Sequence, residues 1–155
     1  MHNLVKHIVK NIGISLFLLI SILIATQAQS EQSAEDIIKN RKALFSKNYN
    51  TAKKVQSLSS SGDFDAAKKL MLQMSDNYKA LLEMFPDNTK EGFKTEVTSL
   101  VWEEKDKFNS LMEKSSNDMI ELASIIESSE NIRGSLGQLM WGNCKACHSK
   151  YRVEH

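Results

Sequence analysis

The chain has 155 residues and a formal net charge of +1, and charged residues make up 25% of it. This length suits one domain of ordinary size. A nearly neutral charge without a basic patch argues against a nucleic acid or an anionic membrane surface as partner. The function must therefore be sought in local motifs.

Residues 1–28 have the pattern of a secretory signal peptide. Lys6 and Lys10 precede a nearly unbroken apolar run from Ile12 to Ala25, and the small-residue stretch ATQAQS follows. Because the run is shorter than the roughly 20 residues that span a bilayer, an uncleaved membrane anchor is the weaker alternative. We expect cleavage after Ala28 to release residues 29–155 into the periplasm without a membrane anchor. The loss of two lysines and no acid would change the net charge to −1.

The spacing of apolar residues predicts four helices and no β-strand. The predicted helices run from Ser33 to Leu58, from Phe64 to the stop at Pro86, from the Thr95–Trp102 region to Ile126, and from Asn131 to about Arg152. Between the first two, Gly62 suits a left-handed helix end and Asp63 suits the next N-cap. Four such helices with short connections predict an all-α, antiparallel up-down-up-down four-helix bundle.

Two features are unusual for a plain hydrophobic core. Arg41 lies on the apolar stripe of the first helix, one turn before Phe45. It either extends to solvent from the edge of the stripe or points at an anionic ligand group. The fourth helix contains Gly134, Gly137 and Gly142, each costing roughly 0.8–1 kcal/mol relative to Ala. Close helix packing or a bulky flat group against the backbone would explain them.

The two cysteines of the chain, Cys144 and Cys147, precede His148 in a Cys-x-x-Cys-His motif. A thioredoxin-like redox pair is disfavoured, because such a pair lies at a helix start after a strand. A zinc site that also uses His155 is weak, since known sites separate the Cys pair from the His pair by roughly a dozen residues. A purely structural cysteine pair would have the histidine directly after it only by chance.

The same motif is the signature of covalent c-type haem attachment. The two thiols add across the haem vinyl groups, whose separation matches the three-residue spacing, and the histidine that follows ligates the iron. Export agrees with this chemistry, because the attachment is made outside the cytoplasm. We therefore predict one haem c per chain, bound through Cys144 and Cys147, with His148 as the proximal iron ligand.

The C-terminal sequence CKACHSKYR resembles the cytochrome c′ family, whose members carry this motif on the last helix of a four-helix bundle. The segments EDIIKNRKALF and VWEEKDKF are similar to looser family patterns, so the resemblance extends over the whole domain. It implies that Arg41 pairs with a haem propionate and that Arg152 lies beside the proximal histidine. It also implies that Phe45, or Leu44 if the register shifts by one, covers the sixth iron position. The resemblance suggests a homodimer through the first two helices.

Phenylalanine cannot ligate iron, so the resemblance implies a five-coordinate, high-spin haem. A bulky apolar distal side chain offers no hydrogen bond to bound O₂ and so favours NO or CO. The absence of a distal acid–base pair argues against peroxidase-type catalysis. We expect an exported haem protein, not an enzyme, that binds NO or CO and exchanges electrons with an unidentified redox partner.

Two alternatives stay open. A methionine as sixth ligand would give a six-coordinate, low-spin electron carrier, although a methionine at helical core spacing is more often core filler. The candidate methionines are Met71, Met74, Met84 and Met140. The other alternative is a haem-free helical bundle that acts as a metal-binding or interaction module. The visible spectrum of the purified protein would separate these readings.

Overall fold

The computed structural model describes residues 32–154; the signal peptide predicted for residues 1–28 and the suggested zinc ligand His155 lie outside the described residues. The helices are α1 (Ala34–Ser61), α2 (Phe64–Leu81), α3 (Leu100–Glu103), α4 (Lys105–Ile125), α5 (Ile132–Leu136) and α6 (Gly142–Tyr151). A 3₁₀ turn at Asp87–Thr89 precedes α3, and a π-helical turn at Gly137–Trp141 joins α5 to α6.

The predicted all-α four-helix bundle is confirmed. The long helices α1, α2 and α4 supply three of its members, and α5, the π turn and α6 together form the fourth. Within residues 32–154, extended pairing is limited to one antiparallel bridge between Val97 and Arg152. None of the helices in this described part is long and apolar enough to span a membrane.

The first turn of the bundle forms as the sequence predicts. Gly62 ends α1 with φ of 82°, in the left-handed region that glycine tolerates without strain. Asp63 then caps α2 by accepting a 3.2 Å hydrogen bond from the backbone nitrogen of Ala66. Because only these two residues connect the helices, α1 and α2 pack as antiparallel neighbours.

The second and third predicted helices differ in part from those of the structure. The second helix ends at Leu81, earlier than its apolar pattern to Phe85 indicated, and short-range bonds such as Met84 N to Leu81 O (3.1 Å) finish it. Pro86 disfavours the helical conformation for the residue before it, so the chain leaves the helix axis early. The predicted third helix is interrupted at Glu104, between α3 and α4, where φ and ψ are −120° and 43°.

Two of the three glycines of the fourth helix have local explanations. The backbone nitrogen of Gly142 donates to the Gly137 carbonyl, which defines the π turn, and a Cβ on Gly142 would lie 3.3 Å from that oxygen. A Cβ on Gly134 would lie 2.5 Å from the side chain of Asn131, the residue that caps α5. Nothing lies within 4 Å of a Cβ built on Gly137. Local contacts therefore account for Gly134 and Gly142, and no contact within the described residues explains Gly137.

Candidate functional site

A cavity of about 700 Å³ opens between α1, α4 and α6. This volume is within the usual range for small-molecule and cofactor sites. All of the predicted site residues except one contribute to its wall: Arg41, Phe45, Cys144, Cys147, His148 and Arg152. The exception is Leu44, which is half-buried and not part of this wall. The structure thus brings together residues that lie more than a hundred positions apart in the sequence, as Arg41 and Arg152 do.

Helix α6 presents both cysteines to the cavity as half-buried thiols that form no disulfide. Burial raises the pKa of Cys144, against the opposing effect of a hydrogen bond with the Tyr78 hydroxyl, and raises the pKa of Cys147 to about 11. Desolvation and the nearby Arg152 lower the pKa of His148. At neutral pH the cavity therefore carries two thiols and an uncharged imidazole, the forms that thioether formation and iron ligation use.

Arg41 is 1% exposed, so the interpretation that it extends to solvent is wrong. Its two Nη atoms donate four hydrogen bonds of 2.6–3.1 Å, all to neutral oxygens of Met84, Thr89 and Thr95. Its guanidinium also lies over the Phe85 ring, 4.7 Å from the centroid. Burial lowers the pKa of Arg41 to about 10, which leaves the group charged at neutral pH.

Aromatic rings form the apolar part of the cavity wall. Phe45 contacts Phe85 edge-on with 6.4 Å between ring centroids, Phe85 contacts Phe108 at 4.7 Å, and Phe108 contacts Tyr151 at 5.2 Å. Such edge-to-face pairs hold each ring in a fixed orientation. A flat apolar group would find a rigid surface here.

The wall of the cavity carries an excess of positive charge. Among residues 32–154, four Lys and Arg side chains line the cavity, namely Arg41, Lys42, Lys145 and Arg152, whereas Glu96 is the one acidic side chain there. Glu96 accepts from Arg152 at 2.9 Å and pairs with Lys42 at 3.2 Å. The excess of positive charge suits a group that brings two carboxylates, as haem does with its propionates. Together with the thiols, the imidazole and the aromatic wall, it fits haem c.

Known proteins are similar to this chain over most of its length. The family model described as Cytochrome C′ matches residues 36–152, from the first turn of α1 to the residue that follows α6. The chain belongs to the cytochrome c′ family. Members of this family bind haem c covalently through cysteines, and Cys144 and Cys147 are the two cysteines of this cytochrome c′.

Individual relatives support the assignment. The cytochrome c′ of Rhodopseudomonas palustris is 29% identical over 122 residues, which cover 77% of this chain and 83% of the relative. A solved variant of cytochrome c′ from the same species is 26% identical with a TM-score of 0.62, over 77% of this chain and 98% of that one. A variant from Alcaligenes xylosoxidans, solved as a nitric oxide complex, has 16% identity and a TM-score of 0.68, over 81% and 100% of the two chains. At that identity the last likeness shows the fold alone.

The methionines singled out as sixth ligands lie elsewhere. Met71, Met74 and Met140 are fully buried core residues, and Met84 is partly buried against the core; none of them lines the cavity. Sequence reasoning missed Met112, which is 1% exposed and does line it. Met112 follows Phe108 by one helical turn and shares its face of α4, a spacing that indicates a core position and does not distinguish it from a cavity wall.

The alternative of a zinc site finds no support in the described part of the chain. Across residues 32–154, no group of three or more His, Cys, Asp or Glu side chains is arranged to hold a metal ion.

Sequence reasoning also missed Tyr78, which is 6% exposed, lines the cavity and hydrogen-bonds the Cys144 thiol. Its apolar spacing on α2 indicated a core residue and gave no sign of the neighbouring thiol.

Replacing Tyr78 by Phe should reduce the loss of stability at alkaline pH. Burial raises the pKa of Tyr78 well above its usual value near 10. The folded state therefore keeps the phenol protonated where the unfolded state releases its proton, so the free energy of unfolding falls by up to about 1.4 kcal/mol per pH unit above about pH 10. Urea unfolding of the haem-loaded protein between about pH 8 and 11 measures the slope. Tyr49→Phe, at a side chain that is 51% exposed, should keep the wild-type slope.

Proposed function

We propose that this cytochrome c′ holds a five-coordinate, high-spin haem that binds NO or CO on the Phe45 side of the cavity and exchanges single electrons. The bound group would supply an iron that can bind a small ligand and a one-electron couple. Cys144 and Cys147 would hold it, His148 would ligate the iron, and Arg41 and Arg152 would face its carboxylates. The observation that supports this proposal best is the position of Phe45 on the cavity wall.

The chemistry of that wall favours a neutral diatomic ligand. Phe45 cannot ligate iron, and its ring is held by its contact with Phe85. O₂ draws negative charge onto itself when it binds to ferrous haem and needs a hydrogen-bond donor, whereas NO and CO do not. The variants of the Alcaligenes xylosoxidans relative that form complexes with nitric oxide and with nitrite support a ligand-binding role of this kind.

A low-spin electron carrier is the second candidate, and Met112 is the observation that favours it. A thioether on the cavity wall is a known type of axial ligand that raises the reduction potential of haem. The visible spectrum of the purified protein decides between the two. Broad high-spin bands in both oxidation states support the proposal. A methionine–iron charge-transfer band that disappears in Met112→Leu would replace it with the second candidate.

Replacing Phe45 by Ala should raise the association rate of CO and NO by about tenfold, equivalent to a barrier lowered by ~1.4 kcal/mol. The reason is steric, because the substitution removes the ring that covers the proposed binding face. Stopped-flow mixing of the ferrous protein with CO measures the rate. Leu44→Ala is the matched control, since Leu44 is the neighbouring half-buried residue and is not part of the cavity wall. A larger effect of Leu44→Ala would shift the register by one residue.

We also propose that the protein acts in the periplasm as residues 29–155. The support is the basic, apolar and small-residue order of residues 1–28, together with a haem type that is attached outside the cytoplasm. N-terminal sequencing of the haem-loaded protein from the periplasmic fraction tests it. A protein that begins at Gln29 agrees with the proposal, and a membrane-bound protein that keeps Met1 contradicts it.

A further inference from the structure

Asp118 and Asn143 form a buried polar contact between α4 and the haem-attachment helix α6. Asp118 is 6% exposed and Asn143 is 5% exposed. The Asn143 amide nitrogen donates at 2.8 Å to the Asp118 carboxylate and at 2.8 Å to the Leu139 carbonyl inside the π turn. Lys114, one turn earlier on α4, pairs with the same carboxylate from the solvent side.

This contact lies next to the haem attachment point. Asn143 directly precedes Cys144, and both residues line the cavity. The π turn interrupts the regular hydrogen bonding of the fourth helix immediately before α6, and such interruptions concentrate at functional sites. Hydrogen bonds to a carboxylate are stronger than those between neutral groups, and a buried one is costly to break. One amide therefore connects the π turn, α4 and the start of α6.

We propose that Asp118 and Asn143 are positioning residues that fix α6, and hence the attached haem, against α4 and the π turn. If the contact is lost, α6 can move relative to Phe45 and the position of the haem changes with it. The inference requires haem on Cys144 and Cys147, but it does not depend on whether the protein binds NO or CO.

The test compares haem-loaded Asn143→Leu and Asp118→Leu with the wild type. Leucine has the same branching and the same number of side-chain heavy atoms, so each change removes the hydrogen bonds and keeps the shape of the side chain. Amide hydrogen exchange in α6 should speed up by roughly ten- to a hundredfold, the effect expected for losing a charged hydrogen bond. The reduction potential and the high-spin absorption bands should shift in both variants. Asp118→Asn keeps an oxygen that can accept from Asn143, so its potential and bands should stay close to those of the wild type.

Two control variants separate this role from general destabilisation. Ser116 lies on α4, as Asp118 does, but not on the cavity wall. Ser116→Ala breaks its buried 2.8 Å contact with Ser75 of α2. It should lower stability without shifting the potential. Lys114→Ala removes the exposed partner of Asp118 and should have little effect.

The proposal is overturned if Asn143→Leu and Asp118→Leu leave the potential and the α6 exchange unchanged, or if Ser116→Ala shifts the potential as much as they do. Should Asn143→Leu fail to accumulate as folded protein, Asn143→Ser serves instead, because its shorter donor cannot reach both oxygens. If the wild type binds neither NO nor CO but the two leucine variants show these shifts, the result contradicts the proposed function and supports this inference.

Discussion

A variant with Cys144→Ser and Cys147→Ser should contain no covalently bound haem and should lose the cooperatively folded bundle. A serine hydroxyl does not add to a haem vinyl group, and the chain has no further cysteine to replace the lost thiols. Each single variant should retain one thioether, which shifts the α band of the pyridine haemochrome because one vinyl group stays unreacted.

The loss of fold follows from the size of the cavity. Without the group that fills it, a cavity of about 700 Å³ leaves the apolar side chains on its wall, such as Phe45, Phe85 and Phe108, without packing partners. The total stability of an ordinary domain is only ~5–15 kcal/mol, so the loss of this packing is a large fraction of it. The haem-free chain should therefore close or unfold around the missing group.

Intact mass spectrometry and a haem stain after denaturing electrophoresis measure the covalent haem, and thermal unfolding followed by circular dichroism measures cooperativity. Ala146→Ser is the matched control, because it adds the same hydroxyl at an exposed site between the two cysteines. It should keep the haem and the wild-type melting temperature. A double variant that still carries haem on denaturing gels would contradict attachment at these two positions.

The helices could be predicted from sequence because their signals are local. The cap at Asp63, the left-handed exit at Gly62 and the apolar periodicity depend on residues within one or two turns of each other. The Cys-x-x-Cys-His motif is likewise contiguous, so its chemistry did not require the fold. The sequence pattern indicated neither the break at Glu104 nor the π turn, since helical periodicity continues across both.

The environment of the site residues was harder to predict than their identity. The sequence indicated Arg41 as a polar break in an apolar stripe, but its partners Thr89 and Thr95 lie some fifty positions further on. These partners belong to a loop whose amino-acid pattern suggested only a connection. Met112 and Tyr78 read as core residues, since the helical period alone does not distinguish a core from the wall of a cavity.

The loop that holds Arg41 also has an unusual backbone. Gly92, Phe93 and Lys94 all have positive φ, at 85°, 48° and 55°. For the two residues that are not glycine, this conformation costs of the order of 1–3 kcal/mol each and persists only where the surroundings impose it. Thr95 follows directly and accepts the 2.6 Å hydrogen bond from Arg41. The guanidinium thus stabilises a loop conformation that its own sequence disfavours.

Arg41→Met should lower the free energy of unfolding by about 3–5 kcal/mol, the largest effect we expect from a residue that forms no bond to haem. Methionine fills a similar volume but donates no hydrogen bonds, so the carbonyls of Met84 and Thr89 lose a donor in the interior. Each buried acceptor left without a partner costs roughly 1–3 kcal/mol. Part of that loss is offset, because the variant no longer buries a cation.

Arg41→Lys separates the structural role of Arg41 from its proposed contact with a haem propionate. The single ammonium of lysine cannot reach all of the oxygens that accept hydrogen bonds from the planar guanidinium of Arg41. This variant should therefore also be destabilised, although less than Arg41→Met. Arg41→Lys keeps the positive charge. If a haem propionate lies beside this charge, the reduction potential of Arg41→Lys should stay close to that of the wild type, whereas that of Arg41→Met should be lower. Urea unfolding and redox titration measure the two effects. Arg133→Met, at an exposed arginine, is the control and should change stability by less than about 0.5 kcal/mol and leave the potential unchanged. Equal potentials in the wild type and all three variants would leave Arg41 with a structural role only.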